Sequence, residues 1–208
     1  MRRLLIAFLF FAGLGWSLQA AETSTAKNDF LVVYGKMNRR AGPINSRTTR
    51  ANLAALFGKT KLRNSTIVLG ENGVKQPSTD ILTKGAEATV VWETEARRKI
   101  VGILMSKRNS QWHTEDGIKV GTSVQELEKI NGAPFKFSGL DWDDGGQIQA
   151  ATGKLSALDG LSLTLQGNSD APGAEKFIGD QVNPMSNASG IEKAGIYVGS
   201  MTLYFETN

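Results

Sequence analysis

The order of apolar and polar residues along the chain predicts many short β-strands and two short helices. In several short runs apolar and polar residues alternate, which is the period of a half-buried strand. Gly, Asn and Asp residues that favour turns separate these runs. The predicted strands cover residues 30–34, 65–69, 89–92 and 100–105 in the first half and 118–120, 135–140, 147–150, 161–165 and 196–205 in the second.

Segments 49–58 and 123–132 have instead the pattern of a short amphipathic helix with one apolar face. Ser123 is expected to cap the second helix together with Glu126, in a capping box. Thr49 takes the same position in the first helix, where an asparagine replaces the acid. Each helix is expected to end at a left-handed glycine, which is Gly58 in the first and Gly132 in the second.

The two helical segments coincide when the sequence is laid over itself so that position 50 falls on position 124. The same shift places residues 87–93 on 161–167, and both have strand-like alternation. This pattern predicts a strand-rich α+β fold of two tandem units, each a short helix with an antiparallel sheet. The first unit is assigned to residues 21–106 and the second to residues 107–208, with a long loop over 167–190.

The N-terminus has the three parts of a secretory signal peptide, with Arg2 and Arg3 before an apolar run over residues 4–16. Cleavage is expected after Ala20, which makes residues 1–20 the signal peptide and places the mature protein in the periplasm or outside the cell. An uncleaved anchor is the alternative, although the run is shorter than the roughly 20 apolar residues that span a bilayer. No later stretch predicts a span. The absence of cysteine excludes disulfides, thiolate metal sites and lipidation at the cleavage site.

Charge divides the mature chain into a basic first half and an acidic second half. The whole sequence has a formal net charge of +4, but residues 21–100 carry 14 Lys and Arg against 7 Asp and Glu, whereas residues 101–208 carry 8 against 13. This asymmetry favours either an anionic partner at the first half or two solvated faces of opposite sign.

Four arginines near the start of the first helix are candidate binding residues. They surround Gly42-Pro43, and the N-terminus of a helix favours anions. Phosphate, a lipid headgroup or an acidic protein surface are the possible ligands, and a solvated basic face is the alternative. Nucleic acid is not predicted, because no aromatic residues are interleaved with the cations. The four are Arg39, Arg40, Arg47 and Arg50.

A second candidate region combines an acidic turn with aromatic residues. The turn Asp141-Trp142-Asp143-Asp144 departs from a calcium loop at Gly145 and Thr152, where acidic ligands are required, so a hairpin turn with solvated carboxylates is the simpler interpretation. No metal or other cofactor is predicted. Trp112 and Trp142 either pack in the core or form a partly exposed aromatic patch. The candidate binding residues of this region are Trp112, His113, Asp141, Trp142, Asp143 and Asp144.

The only histidine, His113, limits acid-base chemistry, and no serine lies in a hydrolase motif. Residues 116–135 (DGIKVGTSVQELEKINGAPF) and 139–142 (GLDW) resemble an uncharacterised family of secreted bacterial proteins. More broadly, the Gly-Ile-x-x-Gly-Thr-Ser opening, the amphipathic helix and the Gly-x-Pro exit resemble the repeat unit of β-lactamase-inhibitor-like proteins and of the outer-membrane assembly lipoprotein BamE.

That resemblance implies a helix-on-sheet binding module without catalysis. The chain lacks the cysteines of the inhibitor's disulfides and of the lipid anchor. The sequence therefore favours a non-enzymatic, exported module that binds a protein partner in the cell envelope. A structural or assembly role in the envelope and a hydrolase that uses His113 are the alternatives.

Overall fold

The computed structural model describes residues 29–69, 73–142, 144–150 and 152–205. The predicted signal peptide lies outside these residues. Within them the chain forms two α-helices and twelve β-strands, which confirms the predicted strand-rich α+β class. The helices are α1 (Arg50–Phe57) and α2 (Val124–Asn131).

Within the described ranges, the strands longer than three residues belong to one central sheet. The strands are β1 (Leu31–Val33), β2 (Arg40–Ala41), β3 (Ile44–Asn45), β4 (Leu62–Leu69), β5 (Val74–Ile81), β6 (Ala88–Trp92), β7 (Ile100–Met105), β8 (His113–Thr114), β9 (Lys136–Phe137), β10 (Ile148–Gln149), β11 (Leu161–Gln166) and β12 (Tyr197–Tyr204).

The central sheet is antiparallel and joins the two halves of the chain. Its strand order is β11-β12-β7-β6-β5-β4, so four strands come from the first half and two from the second. At the junction, β12 pairs with β7 through Met201 and Met105 and through Leu203 and Ile103. The β9–β10 ribbon reaches β11 through an isolated bridge.

A smaller sheet joins the beginnings of the two halves. Its order is β3-β2-β1-β8, and β1 pairs antiparallel with β2 and parallel with β8. Val32 lies at its centre, opposite Ala41 on one side and Thr114 on the other, and all three are buried. The start of the first half is thereby fixed to the start of the second.

Both helices pack on the same face of the central sheet. Leu53 of α1 and Leu127 of α2 are fully buried and belong to one hydrophobic core with Val90, Ile103 and Leu203 of the sheet. Because side chains alternate along a strand, residues between these core positions point to the opposite side of the sheet. We call that opposite side the open face.

The predicted capping boxes are present in both helices. Ser123 Oγ accepts from the Glu126 backbone N–H, and the Glu126 carboxylate accepts from the Ser123 backbone N–H at 2.9 Å. Asn52 takes the role of the acid in α1, where its Oδ1 accepts from the Thr49 N–H at 2.8 Å. The side-chain amide oxygen of an asparagine can therefore replace a carboxylate as the acceptor of the N-cap backbone N–H in a capping box.

One of the two predicted left-handed glycines is wrong. Gly132 ends α2 at φ 76 and ψ 3, in the left-handed region. Gly58 has φ 88 but ψ 139, because the chain leaves α1 in an extended direction toward a single 3₁₀ turn, Lys59–Lys61, and then β4. Its positive φ still favours glycine.

Three predicted strands are wrong or shortened, and one long strand escaped prediction. Residues 118–120 form a loop, since Ile118 and Thr114 bond to each other across a turn. Predicted strands 135–140 and 147–150 shrink to the two-residue β9 and β10. The missed strand is β5, which contains Pro77 and mostly polar residues, so its pattern lacks the apolar alternation of a strand.

The segment over 167–190 contains turns and one 3₁₀ helix, Ala174–Phe177. Phe177 is buried and belongs to the hydrophobic core. The Phe177 carbonyl also accepts from the Leu140 N–H at 2.7 Å. These contacts attach the long loop to the second half of the molecule.

The alignment of the sequence on itself that places position 50 on position 124 also places secondary-structure elements of the first half on elements of the second. It places α1 on α2 residue for residue, and the first residues of β4 and β5, at 62 and 74, on those of β9 and β10, at 136 and 148. A local bond recurs as well, because Thr48 Oγ1 accepts from the Asn45 N–H and Thr122 Oγ1 accepts from the Lys119 N–H, each at 3.0 Å. The division into two units at 106/107 stays a prediction.

Removal of either helix cap is expected to destabilise the protein. Thr49→Ala and Ser123→Ala should each lower the free energy of unfolding by about 1 kcal/mol, because an N–H group in the first turn loses its acceptor. Urea denaturation at neutral pH measures the effect. The control is Ser106→Ala, at an exposed serine. This substitution should change stability by less than about 0.5 kcal/mol. Equal effects of all three variants would contradict the capping roles.

The cap of α2 is expected to depend on pH, and that of α1 is not. Hydrogen bonds from the Ser123 backbone N–H and hydroxyl lower the pKa of Glu126 below its ordinary 4.5. Its stabilising contribution is present above that value and is lost as the pH falls through the lowered folded-state value. Glu126→Gln should therefore weaken the acid dependence of urea unfolding below about pH 5. Glu192→Gln, at an exposed glutamate, is the matched control; an unchanged acid dependence in Glu126→Gln would refute the prediction.

Candidate functional site

The four predicted arginines lie along two neighbouring clefts. Arg39, Arg40 and Arg47 line the first, which has a volume of about 620 Å³, and Arg50 lines the second, of about 580 Å³. The clefts adjoin because Arg47 and Arg50 are separated by only two residues at the start of α1. We call the first the basic cleft, and its other cationic lining residues are Lys36 and Lys99.

Arg39 connects three segments of the chain at the edge of the basic cleft. Its Nε donates to the Gly35 carbonyl at 2.8 Å, and its Nη2 forms an ion pair with Asp159 at 2.9 Å. Nη1 donates to the Tyr204 carbonyl at 3.3 Å. The side chain passes so close to Gly160 that an added Cβ there would overlap the Arg39 guanidinium. Arg39 therefore has a structural role as well as a place in the cleft.

Arg40 is held by an acid at the start of β1. Its Nη1 lies 2.5 Å from Asp29 Oδ2 and 3.0 Å from the Gly42 carbonyl. Partial burial raises the pKa of Asp29, but the hydrogen bonds from the Leu31 N–H and Arg40, with the charges of Arg40 and His113, outweigh burial and leave the pKa below its ordinary value. Asp29 therefore stays a carboxylate and fixes the Arg40 guanidinium.

The second cleft lies at the N-terminus of α1. Arg50 Nε donates to Asn64 Oδ1 at 3.0 Å, which ties the helix to β4. Arg97 has φ 50, and its Nη1 lies 2.8 Å from a Glu95 carboxylate oxygen. Arg50 and Arg97 therefore already bond to other residues of the protein. The exposed Arg98 adds positive charge to the rim of the second cleft.

Trp112 belongs to the core, so the partial exposure considered for it is wrong. Its side chain is fully buried and meets Phe30 edge to face, with ring centroids 5.2 Å apart. Gly42 packs against both the Asp29 main chain and the indole, since an added Cβ there would overlap the Asp29 carbonyl oxygen and lie 3.0 Å from the ring. The alternation of exposed Gln111 and His113 with buried Trp112 and Thr114 is the sequence signal that predicts this position.

His113 lies on β8 with an exposed side chain. Its Nδ1 lies 2.8 Å from the Gln111 carbonyl oxygen, and its backbone N–H donates to the Phe30 carbonyl at 3.1 Å. The ring is thus oriented by its own chain. The aromatic patch considered as the alternative to core packing does not form from Trp112, His113 and Trp142, because Trp112 is buried.

The acidic turn connects β9 to β10 and is stabilised by its own backbone. Asp141 is exposed at φ 62, Asp144 is exposed, and Asp143 lies outside the described residues. Trp142 is half-buried, and its Nε1 donates to the Gly139 carbonyl at 2.8 Å. Among the residues that the structure describes, no group of three or more histidines or carboxylates is placed to hold a metal ion.

The open face of the central sheet is a surface that the sequence did not indicate. The register places a row of mostly polar side chains across all six strands, and each of them is at least partly exposed. Thr89 Oγ1 donates to Asp80 Oδ1 at 2.9 Å, so neighbours in the row are ordered by one another. The row comprises Arg63, Asp80, Thr89, Leu104, Thr202 and Ser162.

A projecting hairpin extends the sheet at one edge. β4 and β5 pair along their whole length, but β6 pairs only with residues 78–81 of β5. Residues 66–69 and 74–77 therefore form a two-stranded arm beyond the sheet, which we call the hairpin arm. Val68 is 58% exposed and Val74 is 53% exposed. The pairing register places these two valines on opposite faces of the hairpin arm.

Substitution of the two tryptophans distinguishes a core residue from a surface residue. Trp112→Ala should lower the free energy of unfolding by about 3–5 kcal/mol, because it leaves a large cavity. Trp142→Ala should cost less, since Trp142 is only half-buried. Urea denaturation followed by circular dichroism measures both. A smaller loss for Trp112→Ala than for Trp142→Ala would contradict the core position.

No helix in the described part of the chain has the length and apolar character that a bilayer span requires. Comparison of the chain with protein-family models, with curated proteins and with solved structures finds no match. The resemblance to β-lactamase-inhibitor-like and BamE-like modules therefore stays a prediction, and function has to be argued from the chain's own surfaces.

Proposed function

We propose that this protein is an exported, non-enzymatic binding module of the bacterial cell envelope. It binds a protein partner through the hairpin arm and the adjoining open face. The observation that carries the proposal is the exposure of two valines, Val68 and Val74, on the hairpin arm. No described strand of the sheet pairs with β5 along the arm other than β4.

The energetics of the hairpin arm favour a partner. An isolated two-stranded ribbon is marginal in water, and exposed β-branched side chains give it no core of its own. Burial of apolar surface contributes about 25 cal/mol per Å², so a groove that covers both valines would stabilise the arm and the complex together. The arm is thus a suitable anchor for an interface.

The base of the arm is rigid, which reduces the cost of ordering on binding. Ile81 and Leu62 pair at the inner end of the hairpin and are buried. Next to them, the Trp92 Nε1 donates to Thr79 Oγ1 at 2.9 Å within the core. The projecting half therefore starts from a fixed position.

The open face gives the same interface its polar part. Ile67 and Gln76 of the arm lie an even number of residues from Arg63 and Asp80, so their side chains point to the same side as the open-face row. The arm and the row therefore form one continuous surface. Tyr204, 50% exposed, lies opposite Gly102 on this side of the sheet. Hydroxyl and tyrosine side chains suit an adaptable, partly hydrated protein interface.

The position of His113 supports a binding role over a hydrolytic one. Its Nδ1 already faces the Gln111 carbonyl, at 2.8 Å, and the ring stands on a two-residue strand. The signal-peptide pattern of residues 1–20 supports the envelope location.

Site-specific photo-cross-linking in the producing bacterium tests the proposal. A photoreactive residue at Val74 or at Thr202 is expected to cross-link to the same discrete protein, because both residues lie on the open-face side of the sheet. The same residue at Lys193, which is exposed in the second half, is the control and should not capture that protein. Failure of both interface sites to cross-link above the Lys193 control would refute the proposal.

A second variant tests the hairpin arm itself. Val74→Asp should reduce cross-linking from Thr202 by roughly tenfold or more, since a charge in an apolar contact costs at least about 1.4 kcal/mol. Leu82→Asp is the matched control, because Leu82 is 45% exposed but lies outside the arm. Equal losses in the two variants would contradict a specific role for the arm.

A further inference from the structure

The basic cleft concentrates positive charge in a concave site. Five cationic side chains line it, and no acidic side chain of the described chain does so. Its other lining residues include the buried apolar Ile100 and Phe205. The cleft has a volume of about 620 Å³. Small-molecule sites typically have volumes of roughly 300–1,000 Å³, so the basic cleft is large enough for a small ligand.

Three of the five cations are held in place from outside the cleft. Arg39 is paired with Asp159 at 2.9 Å, Arg40 with Asp29 at 2.5 Å, and Lys99 with Glu93 at 2.9 Å. These pairs orient the side chains and offset three of the charges. The guanidinium groups are therefore preorganised, which lowers the entropy lost when a ligand binds.

The remaining two cations, Lys36 and Arg47, carry charge that no acid among the described residues offsets through an ion pair. Both are exposed, and neither forms an ion pair with a described residue. They face the same cleft as the three fixed cations, so their mutual repulsion would be relieved by a bound anion.

Comparison of the two halves indicates that a unit of this fold does not require the charges of Lys36 and Arg47. The shift that carries position 50 to 124 matches buried Ile44 with buried Ile118, and Thr48 with Thr122, with the same threonine hydrogen bond in each. At the positions that line the cleft, the same shift instead matches the cations with one histidine and three uncharged residues. Arg39, Arg40, Arg47 and Lys36 correspond to His113, Thr114, Gly121 and Ser110.

We propose that the basic cleft binds a phosphate group, independently of the protein partner. The exposed Arg47 side chain is planar and presents a fork of N–H donors that matches phosphate oxygens, and several cations around one cleft favour a multiply charged group. The phosphate belongs either to a small soluble molecule or to a lipid headgroup, and the two sources are distinguished by experiment.

Isothermal titration of the mature full-length protein with pyrophosphate at low salt tests the site. Wild-type protein is expected to bind, and the double variant Lys36→Gln/Arg47→Gln to bind at least about tenfold more weakly, because charge-assisted contacts to the anion are lost. These exposed side chains can be replaced without loss of an ion pair to a described residue, and circular dichroism checks the fold. Lys193→Gln is the matched control and should bind as the wild type does.

Sedimentation with vesicles of phosphatidylcholine, with and without phosphatidylglycerol, separates the two sources. Binding of pyrophosphate without vesicle binding assigns a soluble phosphate, and loss of phosphatidylglycerol-dependent sedimentation in the double variant assigns a headgroup. The proposal is overturned if neither probe binds, if citrate binds as tightly as pyrophosphate, or if the double variant binds like the wild type.

Discussion

The antiparallel pairing of β7 with β12 is the contact on which the rest of the molecule depends. It joins four strands of the first half to two strands of the second, through Ile103 opposite Leu203 and Met105 opposite Met201. All four side chains are buried on the face that both helices cover. One core then serves both halves, and the opposite face carries the row of partly exposed, mostly polar side chains described above.

The same pairing also places the two proposed binding surfaces. Beyond β12, the Phe205 N–H donates to the Val101 carbonyl at 2.9 Å, which brings Phe205 to the basic cleft. Arg39 reaches across to Asp159 and to the Tyr204 carbonyl, so the cleft requires residues from both halves. At the other end of the sheet, β6 stops short of the end of β5 and leaves the hairpin arm beyond it.

The cationic side chains of the first half have different roles at different positions. Arg39 and Arg40 are tied to carboxylates and help to fix the chain, whereas Lys36 and Arg47 are exposed at the same cleft. The number of arginines and lysines in a segment does not separate these cases, because a paired cation and a solvated cation are counted alike. The geometry of the partners does separate them.

Short-range chemistry made the helices predictable from sequence. A hydroxyl residue at the start, an acid or amide three positions later and a glycine at the end define 49–58 and 123–132, and these rules act between neighbours in the chain. The strand-rich α+β class and several of its strands, such as β7, followed from equally local patterns. The sequence also indicated one group of candidate binding residues, Arg39, Arg40, Arg47 and Arg50, because they are close together in the chain.

Only the tertiary structure decided what depends on distant contacts. It buried Trp112 beneath Gly42, made β5 a strand despite Pro77, and extended β5 beyond β6 as the hairpin arm. It also decided which cations form ion pairs within the described part of the chain, since Asp159, the partner of Arg39, is distant from it in sequence. Local propensity and periodicity determine helices and caps, whereas exposure, strand register and charge pairing are set by segments that meet only when the sheet has formed.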